Sequence, residues 1–178
     1  MSFIERLAPE IRKTGEISTI QINVGKICNL ACSHCHVQAG PKCTETMSRA
    51  VMEAVLEAIR THKFQTLDIT GGAPEMNENF RWLVSEATKI LPHIIVRTNL
   101  KILLEKGYED LIKFYADHDV ELVASLPCYT QENVDAQRGH GTFKASIEAL
   151  KRLNAAGYGR GGALKLNLVY NPGGAFLP

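Results

Sequence analysis

"ISTIQINVGKICNLACSHCHVQAGP", residues 17–41, decides how the rest of the chain is read. In its first eight residues Ile20, Ile22 and Val24 alternate with Thr19, Gln21 and Asn23, the period-two pattern of a half-buried strand. A loop follows in which Cys28, Cys32 and Cys35 carry His34 and His36 between and beside them. Three thiols delivered at the end of a strand raise a question of ligand count, because a closed metal site wants four.

The bulk composition narrows the answer. At 178 residues the chain is long enough for one domain with a real core. Twenty Lys and Arg against 19 Asp and Glu leave it nearly neutral, without the basic excess that grips nucleic acid or an anionic membrane. The start, "MSFIERLAPEIRK", has early charges and no apolar core, so it does not read as a signal peptide, and no window approaches the roughly 18 apolar residues of a membrane span. The expectation is a cytoplasmic protein. In a reducing compartment five cysteines (Cys28, Cys32, Cys35, Cys43 and Cys128) speak for metal binding or catalysis rather than a disulfide framework.

Outward from the cysteine loop, strands and helices alternate. A helix is predicted over about 46–60, with Met47, Val51, Ala54, Val55, Ala58 and Ile59 on one face. "FQTLDIT" (64–70) is a second strand ending at Gly71-Gly72, and a helix over about 78–90 aligns Phe80, Leu83, Val84, Ala87 and Ile90. "HIIVRTN" (93–99), a helix over about 108–117, "VELVAS" (120–125), a helix over about 143–155 stopped by Gly157, and "ALKLNLVY" (163–170) complete the series. Five β-then-α units imply an α/β fold with a parallel sheet, open or closed. Polar residues share one parity of each strand: Gln21 and Asn23, Asp68 and Thr70, Arg97 and Asn99, Glu121 and Ser125, Lys165 and Asn167. Strands buried on both faces read as continuous apolar runs, so this pattern favours a partial (β/α) barrel whose polar faces turn to a common wet cavity. The alternative is an antiparallel meander with one solvated face. The chain stops after the fifth strand, whereas a full eight-unit barrel takes about 250 residues. Residues 1–178 are therefore expected to be one core domain, cut before a sixth unit.

Three metal readings compete for the loop. "CSHCH" (32–36) fits the C-x-x-C-H pattern of c-type haem attachment, but that leaves Cys28 unexplained. Zinc could be closed by the three cysteines with His36 or Cys43. An iron–sulfur cluster on three thiolates would leave one iron open to a ligand from solution, at the strand ends where barrel active sites are built.

C-x3-C-x2-C after strand one, with "TGGAPE" (70–75) after strand two, resembles the radical S-adenosylmethionine (SAM) enzymes. The resemblance implies that Cys28, Cys32 and Cys35 hold a [4Fe-4S] cluster, that SAM chelates its fourth iron, and that SAM is cleaved to methionine and a 5′-deoxyadenosyl radical. It implies a partial barrel of six units, of which five are present, and an electron donor such as flavodoxin or ferredoxin. Gly71 and Gly72 match the pair that approaches the methionine ammonium group, since a residue without Cβ permits close approach. His34 stands where the family usually has an aromatic residue near SAM, and Ser125 matches a SAM-contacting position at the end of strand four. Asn99 and Lys165 are candidate cavity residues. The family's carboxylate usually follows the glycines directly, whereas here Ala73 and Pro74 precede Glu75.

"CHVQAGP" (35–41), "SLPCYTQENVDAQRGHG" (125–141) and "LVYNPGGAFLP" (168–178) further resemble the N-terminal half of the arsenosugar-biosynthesis radical SAM proteins. That resemblance implies transfer of the 5′-deoxyadenosyl group to a trivalent dimethylarsenic species, and a C-terminal domain beyond the present end; the alternatives are a radical SAM enzyme acting on another small molecule or peptide, and a non-catalytic zinc or iron–sulfur module. Trivalent arsenic is soft and binds thiolates, which makes Cys128 the candidate to hold a methylated arsenical. Cys43 is expected to be a surface thiol. Arg138 is expected in a rim loop, free to meet a carboxylate or to face solvent.

Overall fold

The computed structural model describes residues 15–171. Its strands are β1 (Thr19–Asn23), β2 (Thr66–Thr70), β3 (His93–Thr98), β4 (Glu121–Ser125) and β5 (Leu166–Val169). They form one sheet in the order β1-β2-β3-β4-β5, and every neighbouring pair is parallel. Parallel pairing in sequential order rules out the antiparallel meander and matches the arc of a partial barrel. The quoted "NPGGAFLP" lies, from residue 172 on, outside the described residues.

The helices are α1 (Arg49–Thr61), α2 (Phe80–Ala87), α3 (Leu111–Asp117), α4 (Gln131–Arg138) and α5 (Thr142–Ala155). The apolar parity of the strands (Ile22, Leu67, Ile69, Ile94, Val96, Leu122 and Ala124) shares one core with Met52, Leu56, Phe80, Leu83, Leu111, Tyr115 and Leu153 from the helices. Burying a side chain of this size contributes about 1.5–3 kcal/mol.

The core face of α1 differs from the sequence expectation. On α1 the core face is Met52, Leu56 and Ile59, while Val51 is 49% exposed. The large side chains set the face, and the alanines that weighted the prediction contribute little area. On α5 the fully buried residues are Thr142, Ser146, Ala149 and Leu153, with Phe143 and Leu150 partly buried at the flanks. Small residues let this helix lie close to its neighbours. Its two hydroxyls are satisfied on the preceding turn, Ser146 donating to Thr142 O at 2.8 Å and Thr142 to Arg138 O at 3.3 Å.

α4 was not predicted at all. Residues 131–138, whose Arg138 is expected in a rim loop, form two helical turns that bury only Val134 and Arg138. Asp135 joins α4 to α5, its carboxylate accepting from Gly141 N and Phe143 N, both at 2.9 Å. It thereby supplies the acceptor that the first turn of α5 lacks at its glycine N-cap.

Candidate functional site

The C-terminal ends of the strands converge on a cavity of about 450 Å³. Cys28, Cys32, Cys35, His34 and His36 line one wall, Gly71 and Gly72 another, and Asn99, Ser125 and Arg138 the far side. Gln21 and Arg97 reach it from the polar parity of the sheet.

The cysteine loop is tied to the strands by backbone bonds. Residues 24–47 close into a ring through Met47 N to Val24 O (2.9 Å), Lys26 N to Glu45 O (2.8 Å) and Gly40 N to Lys26 O (3.0 Å). The ring is fastened to the end of β2 where Gly72 N donates to Gly25 O and Ala73 N to Ile27 O, both at 2.9 Å. An added Cβ at Gly72 would lie 2.5 Å from Ile27 O and 2.8 Å from Lys26 O. The glycine pair therefore already has a structural duty, the docking of the cysteine loop onto the sheet. A structural metal loop would need it as much as a SAM site, so the pair alone does not separate the two.

β3 ends in a strained turn. Leu100 is buried with φ 67° and ψ −47°, and Lys101 N donates to Asn99 O at 2.8 Å, the i to i+2 bond of a γ-turn with positive φ. The turn aims Asn99 at the loop, where its Nδ2 donates to Asn29 Oδ1 at 2.7 Å and to Cys28 Sγ at 3.7 Å. Burial pushes the Cys28 thiol up from its ordinary pKa. Burial also raises that of Cys32, opposed by the nearby charge of Arg138. His34 is held below the ordinary histidine value by burial first and by Arg138 second.

Arg138 is the group that sequence reading underestimated. It ends α4, is buried, and donates from Nη1 to Ser125 O at 2.7 Å and to Asn99 O at 3.4 Å. Its Nε has no partner, and neither have His34 Nδ1 and Gln137 Oε1 nearby. Buried polar atoms rarely stay unpaired, so the two on cavity-lining residues, His34 and Arg138, mark a place for a bound group.

Three expected site residues stand elsewhere. Lys165 precedes β5, at the opposite end of the strands; its Nζ lies 3.9 Å from Glu121 Oε2, in a group with His93 and Asn167. Cys128 is buried and is not part of the cavity lining, to which its neighbour Pro127 and Tyr170 belong. Its Sγ accepts from Asn133 Nδ2 at 3.4 Å and lies 3.5 Å from Thr130 Oγ1. Those hydrogen bonds bring its pKa down to about 7. Glu75 turns into the core, accepting from Tyr115 Oη at 3.0 Å, and is no part of the cavity lining. Cys43 donates to Gln38 O at 3.4 Å on the outer side of the loop.

Among the described residues no three His, Cys, Asp or Glu side chains stand close enough to hold a single metal ion. Among the described residues no helix is long and apolar enough to cross a membrane.

The sequence profile of the radical SAM superfamily matches residues 22–173, from β1 to just beyond β5. The chain belongs to the radical SAM superfamily. The cofactors of that superfamily are a [4Fe-4S] cluster and SAM. Among curated proteins the chain is similar to the mycofactocin maturase MftC of Mycobacterium ulcerans, 30% identical over 132 residues that cover 74% of this chain and 35% of the relative. It is 26% identical to the antilisterial bacteriocin subtilosin biosynthesis protein AlbA of Bacillus subtilis over 131 residues, 73% of this chain and 29% of the relative. The chain spans about a third of the length of the curated relatives it matches. In fold it resembles Streptococcus suis SuiB bound to the precursor peptide SuiA, with a TM-score of 0.67 and 17% identity over 86% of this chain and 32% of that one.

Proposed function

We propose that the cavity at the strand ends is a radical SAM active site, with Cys28, Cys32 and Cys35 holding the cluster. The observation that carries this reading is the set of three thiols lining one cavity together with the unpartnered polar atoms of His34 and Arg138. When bound, the cluster and SAM together supply a 5′-deoxyadenosyl radical. The protein's part is positional. Gly71 and Gly72 bring main chain to the cavity wall, Ser125 closes the β4 side, and the free edge of the Arg138 guanidinium suits the SAM carboxylate. Gln21 and Arg97, braced by Asp68, form a polar floor on which a substrate would be oriented. The reductant is proposed to be a flavodoxin or ferredoxin.

For the substrate, a peptide is the first reading, supported by the maturase and bacteriocin-biosynthesis relatives and by the precursor-peptide complex of like fold. A methylated arsenical is the second, supported by the arsenosugar-type motifs and by the acidified Cys128 thiol beside Tyr170 at the rim.

The first test is electron paramagnetic resonance of anaerobically reconstituted, reduced protein with and without SAM. A cluster spectrum that shifts on adding SAM supports an open iron; one that does not move refutes SAM binding at this cavity. Product analysis with SAM, dithionite and trivalent dimethylarsenic then separates the substrates. A new carbon–arsenic product establishes the second reading, and release of 5′-deoxyadenosine alone removes it.

A further inference from the structure

Each of the three loop thiols meets a different donor. Cys28 Sγ accepts from Leu30 N at 3.4 Å and from Asn99 Nδ2 at 3.7 Å. Cys35 Sγ accepts from Ala39 N at 3.3 Å. Cys32 instead lies against the guanidinium of Arg138, the one charged neighbour in the set.

Arg138 is an expensive residue to place there. It is 7% exposed, and a buried cation costs several kcal/mol unless an anion offsets it. Its hydrogen-bond partners are two main-chain carbonyls, those of Ser125 and Asn99, and Nε has none. The groups placed to offset it are the thiols, Cys32 first, then Cys28 and Cys35, which become anionic on ligating a metal. No carboxylate among the described residues offsets its charge. Its position is also fixed relative to the loop. The residue before it, Gln137, accepts from Ser33 N at 3.0 Å and from Ser33 Oγ at 3.3 Å, so α4 and the cysteine loop are fastened together one residue from the guanidinium.

We propose that Arg138 sets the reduction potential of the cluster: its buried charge, held against Cys32, raises that potential and eases one-electron reduction of the cluster before SAM is cleaved. The inference rests on the cluster assignment above. One-electron reduction from a low-potential donor of the flavodoxin or ferredoxin class adds one negative charge to the cluster and nothing else. A nearby fixed cation favours the product of that step, and net charge and hydrogen bonds to the sulfurs are levers by which a protein tunes such clusters. Neutral backbone and amide donors serve Cys28 and Cys35, so Arg138 is the charged lever. It acts through the cluster and is a positioning residue in that sense.

The test is an anaerobic redox titration without SAM, following the reduced-cluster signal in wild type, Arg138→Lys, Arg138→Gln and Arg138→Met, with iron and sulfide counted for each. Leaving SAM out isolates the charge effect from any contact with the SAM carboxylate. The expected result is a more negative midpoint potential in the Gln and Met variants, with Lys restoring most of the difference. Equal potentials in wild type and the neutral variants at full iron loading overturn the proposal. So does failure of both neutral variants to take up a cluster while retaining native circular dichroism, which would make Arg138 an assembly residue. Absence of any cluster in wild type would instead refute the cluster assignment itself.

Discussion

Replacing Gly72 by alanine tests the joint on which the site depends. The new Cβ would stand 2.5 Å from Ile27 O, 2.8 Å from Lys26 O and 2.9 Å from the Ala39 Cβ. Two of these neighbours are main chain, and the third is a short side chain that cannot swing away. Relief requires the cysteine loop to lift from β2, weakening the bonds from Gly72 N to Gly25 O and from Ala73 N to Ile27 O. Overpacking of this kind costs about 1–3 kcal/mol, and for a chain of this size each kcal/mol moves the midpoint by about 2–4 °C, so Tm should fall by about 2–12 °C. The control is Gly162→Ala, whose Cβ meets nothing within 4 Å. There the smaller freedom of the unfolded chain should leave stability unchanged or raise it by about 0.4–1 kcal/mol. Thermal unfolding followed by circular dichroism on the metal-free proteins measures both, and iron bound per chain after reconstitution reports the loop directly. If Gly72→Ala melts with Gly162→Ala and binds as much iron as wild type, the close approach of loop and sheet is not what the glycine serves.

Other consequences are equally open to measurement. Burial holds the Glu75 carboxyl above its ordinary pKa, so the native protein keeps a proton that the unfolded chain loses near pH 4.3, the usual value of about 4.3 for glutamate. Its contribution is therefore complete below that pH and is lost as pH rises through the native value. The urea midpoint of wild type should fall relative to Glu75→Gln across that window, and parallel curves would refute the buried neutral acid. Arg97 grips the buried Asp68 through Nε at 2.9 Å and Nη2 at 2.8 Å. Arg97→Ala leaves that carboxylate with Gln21 alone and should cost about 1–3 kcal/mol in urea denaturation, kept modest because the arginine itself is partly solvated. The Cys128 thiol titrates at about 7, so its rate of alkylation by iodoacetamide, read from its own peptide by mass spectrometry, should rise with a midpoint near that pH. Asn133→Ala or Thr130→Ala should move the midpoint upward.

The sheet was legible because β-strands write their burial into alternate residues: Ile20, Ile22 and Val24 in β1, or Leu67 and Ile69 in β2, could face only one way. The thiols were legible because nothing structural asks for three cysteines in a row of loop positions. α4 was not, since "QENVDAQR" offers only Val134 and Ala136, two positions apart, and that spacing has no helical period. Missing the helix meant missing Arg138, whose importance comes from being buried at a helix end that the sequence did not announce. Lys165 was misplaced because the apolar run from Ala163 was taken as strand throughout, whereas β5 starts only at Leu166. A residue before a parallel strand sits at the wrong end for the site. Cys128 follows β4 closely enough to be at the rim, but whether its side chain turns inward depends on the packing of Tyr170, a residue more than forty positions away. Gly71-Gly72 was read as the place where a bound SAM comes close; what approaches there in the structure is the protein's own loop.

That last point bears on how the site is built. In small zinc modules the metal supplies the folding energy, and the ligand loop has no fixed form without it. Here the loop is held from three sides by contacts that involve no metal. β2 holds it through Gly72 and Ala73, β3 through the strained Leu100 turn and Asn99, and α4 through Gln137 and Ser33. The backbone of the loop is thus paid for by the fold, whereas His34 and Arg138 bring unpartnered polar atoms to the cavity. The division found here, fixed main chain with open side chains, is what pre-organisation for an exchangeable ligand requires.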